Sequence, residues 1–466
     1  MDRRCLKDLI KWNTSDTRKP LMIWGARQVG KSYLIKDIFA ERFYPGKYVY
    51  IDCNEERAFC SFCETHPKPK EVLEYISLDK GITVDSSVLL IFDEVQECLP
   101  VVTLMKYMCQ EYREIPMIVT GSMVRIKIKR KKRGPNQKGF LFPVGKIDEI
   151  TMYPMSFDEY LYNRNRAMYE KIVEAYHSKS PMAQPFHDMA MNMFYEYLLV
   201  GGMPESVSTY LETGSLNESR KVLKVLYGNY LADMDLYQAS SESIIRSRAI
   251  FSNICNFLNK ESKNFTPSLV EKGTKTRDMR SPIDWLKEAH VIYTSQKVDG
   301  RVVFPITESE GPFRIYLSDM GMFSYQSGIN PVSFITGDGR DSLSGIFYEN
   351  FAAEELGSRG IPLFYWSGKA KAEFEFILND NGFAIPLDVK RTKGSLSSLR
   401  KFREHNRFSY AVKVSRNNYG FDNDTGTLTI PFYELFLFAD QISNDRIPDG
   451  IFSNAASPEG MDTKSR

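Results

Sequence analysis

Gly25-Ala26-Arg27-Gln28-Val29-Gly30-Lys31-Ser32 sets two glycines ahead of a lysine and a hydroxyl. That spacing suits phosphate. Backbone N–H groups of such a loop, with those of the helix that follows, converge on an anion. The glycines admit positive φ and close backbone approach. Lys31 would place an ammonium on β/γ-phosphates, and the Ser32 hydroxyl would ligate Mg²⁺. A second pair, Asp93-Glu94, follows the apolar run Val88–Phe92. Asp93 would hold the Mg²⁺ shell, directly or through water, and Glu94 would polarise an attacking water. Thr120 and Ser122 close a third run, Pro116–Thr120. They read either as polar sensors of a γ-phosphate or as a simple turn.

These groups need a frame. Pro20–Trp24 is a short apolar run that reads as a buried strand, and Leu34, Ile35, Ile38 and Phe39 recur at helical spacing after the glycine loop. Val88–Phe92 and Tyr48–Asp52 supply further strands. Continuous apolar runs indicate a parallel sheet covered on both faces, with ligands at the C-terminal strand ends. The expected fold is α/β, and the expected ligand is ATP with Mg²⁺.

A second constellation lies in the last third. Glu349 falls on an expected amphipathic helix over Gly345–Leu356, with Phe347, Phe351 and Leu356 inward. Ala372–Leu378 reads as one strand with Glu373 and Glu375 on one face. Asn381-Gly382 signals a hairpin turn, and the returning strand closes on Asp388-Val389-Lys390. Glu349, Glu375 and Asp388 would hold Mg²⁺, with Lys390 orienting or deprotonating a water. The arrangement resembles the PD-(D/E)XK nuclease fold. Against that family's usual Glu-Val-Asp-Phe and Glu-Val-Lys, this chain has Glu375 for the first Asp and Asp388 for the Glu. Each swap moves a carboxylate by a methylene, and the competing reading is a structural ion-pair cluster on a nuclease-like scaffold.

Arg125–Lys138 holds eight basic residues and no acidic one in fourteen positions. Gly134-Pro135-Asn136 marks a turn, so this is a basic loop, fit for nucleic-acid phosphates or simply solvated. Net charge is only +2, so any such attraction is local. The seven cysteines read as free thiols in a reducing compartment. Cys53, Cys60, Cys63 and His66 invite zinc, but no second well-spaced ligand pair follows, and ordinary thiols are the expectation. No apolar run approaches the roughly 20 residues of a membrane span. The expectation is a cytoplasmic protein without membrane contact.

Phe92-Asp93-Glu94-Val95-Gln96, Thr120-Gly121-Ser122, Phe142–Lys146 and Tyr153–Phe157 follow the glycine loop in order. Gly201–Glu205 and Tyr316–Gly321 lie downstream. Together they resemble prokaryotic AAA-type ATPases with a C-terminal module of unknown function. The resemblance implies an ATPase domain over 1–155, a helical lid over 156–240 and a winged helix over 241–330. A nuclease-like domain over 331–440 and a mobile tail over 441–466 complete the expected order. It also implies an arginine completing the site, for which Arg125 is a candidate, and it leaves a homo-oligomer open. Three outputs remain open at this level: ATP hydrolysis coupled to DNA or protein contacts, an ATP-regulated DNA endonuclease, and a non-catalytic nucleotide-gated switch.

Overall fold

A computed structural model describes residues 1–122, 142–238, 240–306, 311–336, 345–368, 372–390 and 396–443. The basic loop, Arg125 and the tail beyond 443 lie outside these residues. The chain divides into two compact units. One comprises Met1–Pro154, Gly228–Arg248 and Arg280–Val291; the other comprises Met155–Tyr227, Ala249–Met279 and Ile292–Arg466. The segments 156–240 and 241–330 therefore each contribute to both units.

The first unit is built on five parallel strands, β1 (Leu21–Trp24), β2 (Tyr48–Asp52), β3 (Leu89–Asp93), β4 (Met117–Thr120) and β5 (Asp148–Thr151). Their order is β2-β3-β4-β1-β5. Every residue of β1, β3 and β4 is buried, which is why these strands read as apolar runs without alternation. The helices Arg57–Thr65, Pro69–Lys80 and Leu99–Glu111 pack Phe59, Val72, Ile76 and Met105 into one of the sheet's cores. Because β4 lies between β1 and β3, the loops after all three strands open side by side at one sheet edge.

The second unit holds two sheets. β6 (Ile292–Val298), β7 (Phe313–Leu317), β8 (Phe364–Ser367) and β9 (Glu373–Phe374) run in the order β7-β6-β8-β9. β10 (Phe376–Asp380), β11 (Phe383–Val389), β12 (Ala411–Ser415), β13 (Gly420–Asp422) and β14 (Thr427–Pro431) run in the order β10-β11-β12-β14-β13. The expected single strand over 372–378 is thus two strands in two sheets, broken at Glu375. Asp380 pairs with Phe383 across Asn381-Gly382, both at positive φ, as the Asn-Gly signal requires.

The helix Ile346–Gly357 corrects a second expectation, since all its residues are buried and no face meets water. Its polar side chains are paired inward. Asn350 accepts from the Leu317 amide at 2.9 Å and donates to the Leu317 carbonyl at 3.1 Å. Glu355 takes the Phe157 amide at 2.7 Å and pairs with Arg359 at 2.8 Å. Pairing of this kind lets Asn350 and Glu355 be buried on the helix.

The Gly201-Gly202 and Asp319–Gly321 motifs lock together. Asp319 accepts from the Gly202 amide at 2.6 Å and from the Met322 amide at 2.7 Å. Gly201 has φ +72°, and a Cβ there would stand 2.3 Å from the Gly321 nitrogen. These residue types are fixed by backbone contact.

Candidate nucleotide site and the C-terminal charge cluster

At the glycine loop, Gly25 has φ +147°, and a Cβ on it would stand 2.1 Å from the Met152 carbonyl oxygen. Only glycine allows that approach. Gln28 and Gly30 also take positive φ. Lys31 is 6% exposed and folds back over the loop. Its ammonium donates to the Ala26 carbonyl at 2.7 Å and the Gly25 carbonyl at 3.1 Å. Burial pulls the ammonium down to about 8, against the opposing charges of Glu94 and Asp93.

Asp93 ends β3 with both carboxylate oxygens engaged. One accepts from the Tyr50 hydroxyl at 2.8 Å, the other from the Glu94 amide at 2.8 Å. Burial, then the Asp93 charge, raises Tyr50, so its hydroxyl stays protonated and donating. Glu94 has φ +50°, a left-handed backbone for a non-glycine residue. Its carboxylate accepts from the Gln96 amide side chain. Burial and the Asp93 charge raise Glu94 above the ordinary carboxylate range, toward the pKa a general base needs. The Thr120 hydroxyl ends β4 between the other two strands, fully buried, with no hydrogen-bond partner among the described residues. Ser122 is buried two residues later.

Sequence reasoning missed the groups that hold the loop from outside. Arg3 donates to the Val29 carbonyl at 2.9 Å and the Tyr153 carbonyl at 2.6 Å. Tyr230 donates to the Arg27 carbonyl at 2.8 Å, and Asp233 is ion-paired with Arg27. Tyr230 and Asp233 both lie in the last two turns of the helix Leu216–Tyr237. No local pattern marks these residues, because each acts through a contact distant in sequence. Tyr50 is the exception: it alternates with the buried Val49 and Ile51 on β2.

In the second unit, the four residues expected to form a nuclease-like site do converge, around cations. Lys390 contacts Glu375 at 2.7 Å and Asp388 at 2.9 Å. Lys263, which sequence reasoning missed, sits within 2.5 Å of Glu349, 3.7 Å of Glu373 and 3.8 Å of Glu375. Arg314 contacts Glu349 at 3.0 Å and Glu373 at 2.8 Å. Burial, then the Glu375 charge, pushes Asp388 up to about 7. Replacing Arg314 with methionine should destabilise the fold by about 1.5–3 kcal/mol in urea unfolding, because it removes one of the two cations on buried Glu349 and the close partner of Glu373 while Lys263 remains. A loss under about 1 kcal/mol would show that the pair is dispensable.

Residues 17–161 match the model of a family described as an AAA domain. Residues 191–333 and 344–435 match two domains of unknown function, DUF8612 and DUF4143. Comparison with curated proteins finds no match. Among solved structures, AMPPCP-bound DnaA from Aquifex aeolicus is 12% identical at a TM-score of 0.24, over 61% of this chain and 87% of that one. A DNA replication initiation factor is 14% identical at a TM-score of 0.25, over 61% and 87%. PCH-2 of C. elegans is 13% identical at 0.24, over 47% and 66%. These superpositions are too loose to bear on fold or activity. The first match places an AAA domain over 17–161, the segment that carries the glycine loop and Asp93-Glu94. Among the described residues, no helix is long and apolar enough to cross a membrane.

Proposed function

We propose that this chain binds ATP with Mg²⁺ on Gly25–Ser32, hydrolyses it, and couples nucleotide state to contacts made by its C-terminal regions with nucleic acid or protein. The observation that carries the reading is the convergence of Lys31, Asp93-Glu94 and Thr120 at the ends of three adjacent strands. The site fits the ligand. The loop leaves room only for backbone at Gly25, and Thr120 offers a buried hydroxyl without a partner among the described residues. Mg–ATP supplies an electrophilic γ-phosphorus and a cation that offsets phosphate charge.

The chain's own groups divide the remaining work. Ala26 to Ser32 present loop N–H groups, and Lys31 exchanges carbonyl partners for phosphate oxygens. Ser32 and Asp93 would hold the cation. Glu94 orients and deprotonates water, and Thr120 and Ser122 donate near the terminal phosphate. Nucleic-acid contact rests on the charge of Arg125–Lys138 and on the helices that precede the antiparallel β6–β7 pair, a winged-helix order. The test is ATP turnover with and without DNA. Stimulation that vanishes with salt supports the coupling; turnover indifferent to DNA at low salt counts against it.

For the C-terminal cluster, the seat of Lys263 among Glu349, Glu373 and Glu375 favours a non-cleaving platform over an endonuclease. The carboxylates that would take Mg²⁺ are already neutralised. Plasmid nicking in Mg²⁺ or Mn²⁺ that disappears in Lys390→Ala would restore the endonuclease.

The nucleotide pocket carries a pH signature. Free Lys31 titrates near 8, and bound phosphates would raise that value, so binding takes up a proton above pH 8. Affinity should therefore be flat below pH 8 and fall by up to about tenfold per unit above it. Titration of a fluorescent ATP analogue between neutral and alkaline pH checks this, and a flat profile contradicts it.

A further inference from the structure

Cys53 and Cys60 lie seven residues apart, Cys98 lies well beyond them in sequence, and the three meet in space. Their sulfurs all lie within 4.8 Å of one another, and all three residues are buried. Cys53 follows β2, Cys60 lies on the helix Arg57–Thr65, and Cys98 precedes the helix Leu99–Glu111. Three bonds of about 2.3 Å to one atom need sulfur–sulfur separations of about 4.0 Å or less, so a closure of up to about 1 Å, within the reach of χ1 rotation, brings the thiols onto one atom. His66 is not in the group, so the sequence-level zinc pattern fails while a different three-sulfur set appears.

We propose that these three thiols form a site for a trivalent thiophilic metalloid, of which arsenite is the probe. Charge selects this class. Three thiolates around a monovalent soft cation leave two negative charges, and around Zn²⁺ they leave one. The surroundings, which include Phe59, Phe92 and Val95, are apolar. The nearby Arg57 is already paired with Glu97 at 3.8 Å. Burying uncompensated charge here is costly. A trivalent centre leaves none. Its binding is a condensation without redox: three S–H and three As–O bonds break, three As–S bonds form, and the thiol protons leave on three waters.

The site touches the acid strand, since the Cys53 amide donates to the Asp93 carbonyl at 3.0 Å. Its test nevertheless needs no nucleotide turnover. The reduced full-length protein is mixed with arsenite and weighed intact under native conditions. One adduct per chain is expected, with the mass of one arsenic less three hydrogens. It should be lost in Cys98→Ser and in Cys60→Ser, and kept in Cys63→Ser and Cys255→Ser. Thermal melting of each variant establishes that it is folded, and Cys98→Ala provides a second, apolar replacement. No adduct in the wild type overturns the proposal, as does an adduct that survives in folded Cys98→Ser and Cys98→Ala. Tight uptake of Zn²⁺ or Cu⁺ with no uptake of arsenite also overturns it.

Discussion

Changing Glu94 to glutamine is expected to slow ATP hydrolysis by about 10²- to 10⁴-fold while leaving the Kd for ATP close to that of the wild type. The substitution keeps the shape of the side chain and removes its capacity to take a proton. Glu94 is suited to that task on three grounds. It follows Asp93 at the end of β3, its backbone is held in the left-handed region, and its carboxylate is oriented by Gln96. Burial and the neighbouring Asp93 raise its proton affinity. The raised pKa gives the rate a direction with pH: hydrolysis should increase as Glu94 ionises. Turnover within about tenfold of the wild type would remove Glu94 from the role of base.

The second large effect is on binding. Lys31→Ala should weaken ATP binding by about 10- to 100-fold. A charge-assisted hydrogen bond contributes about 1.5–3 kcal/mol, and each 1.4 kcal/mol is about tenfold in Kd. Lys31 donates to two loop carbonyls in the free chain, so alanine also leaves those oxygens without their donor. Equilibrium binding separates this from the Glu94 variant: one should lose affinity, the other only turnover. Tight binding retained by Lys31→Ala would place the nucleotide elsewhere.

The first sheet was legible because its information is local. Strand, glycine loop and helix are contiguous, and β3 ends on Asp93 with Glu94 next. The expected ends of Pro20–Trp24 and Val88–Phe92 fall within a residue of β1 and β3. What was not legible depends on long-range contact. Arg3, Tyr230 and Asp233 brace the loop from far away in the chain, and nothing in their own neighbourhoods says so. The helix carrying Glu349 was misread as amphipathic because Asn350, Glu354 and Glu355 look solvated in one dimension; their partners Leu317, Tyr197 and Arg359 come from elsewhere. The break at Glu375 was hidden for a similar reason. Period-2 alternation continues across it, while the hydrogen-bonding partners change from β8 to β11. Lys263 shows the same limit at the C-terminal cluster. The carboxylates and Lys390 were found by spacing, but the cation among them comes from a segment with no motif.

The most direct test of the central claim is phosphate release from ATP by the full-length protein, compared in Mg²⁺ and in EDTA. The account predicts release that requires Mg²⁺ and disappears in Lys31→Ala. Release that is unchanged in folded Lys31→Ala, or no release by the wild type with Mg²⁺ at saturating ATP, would contradict it.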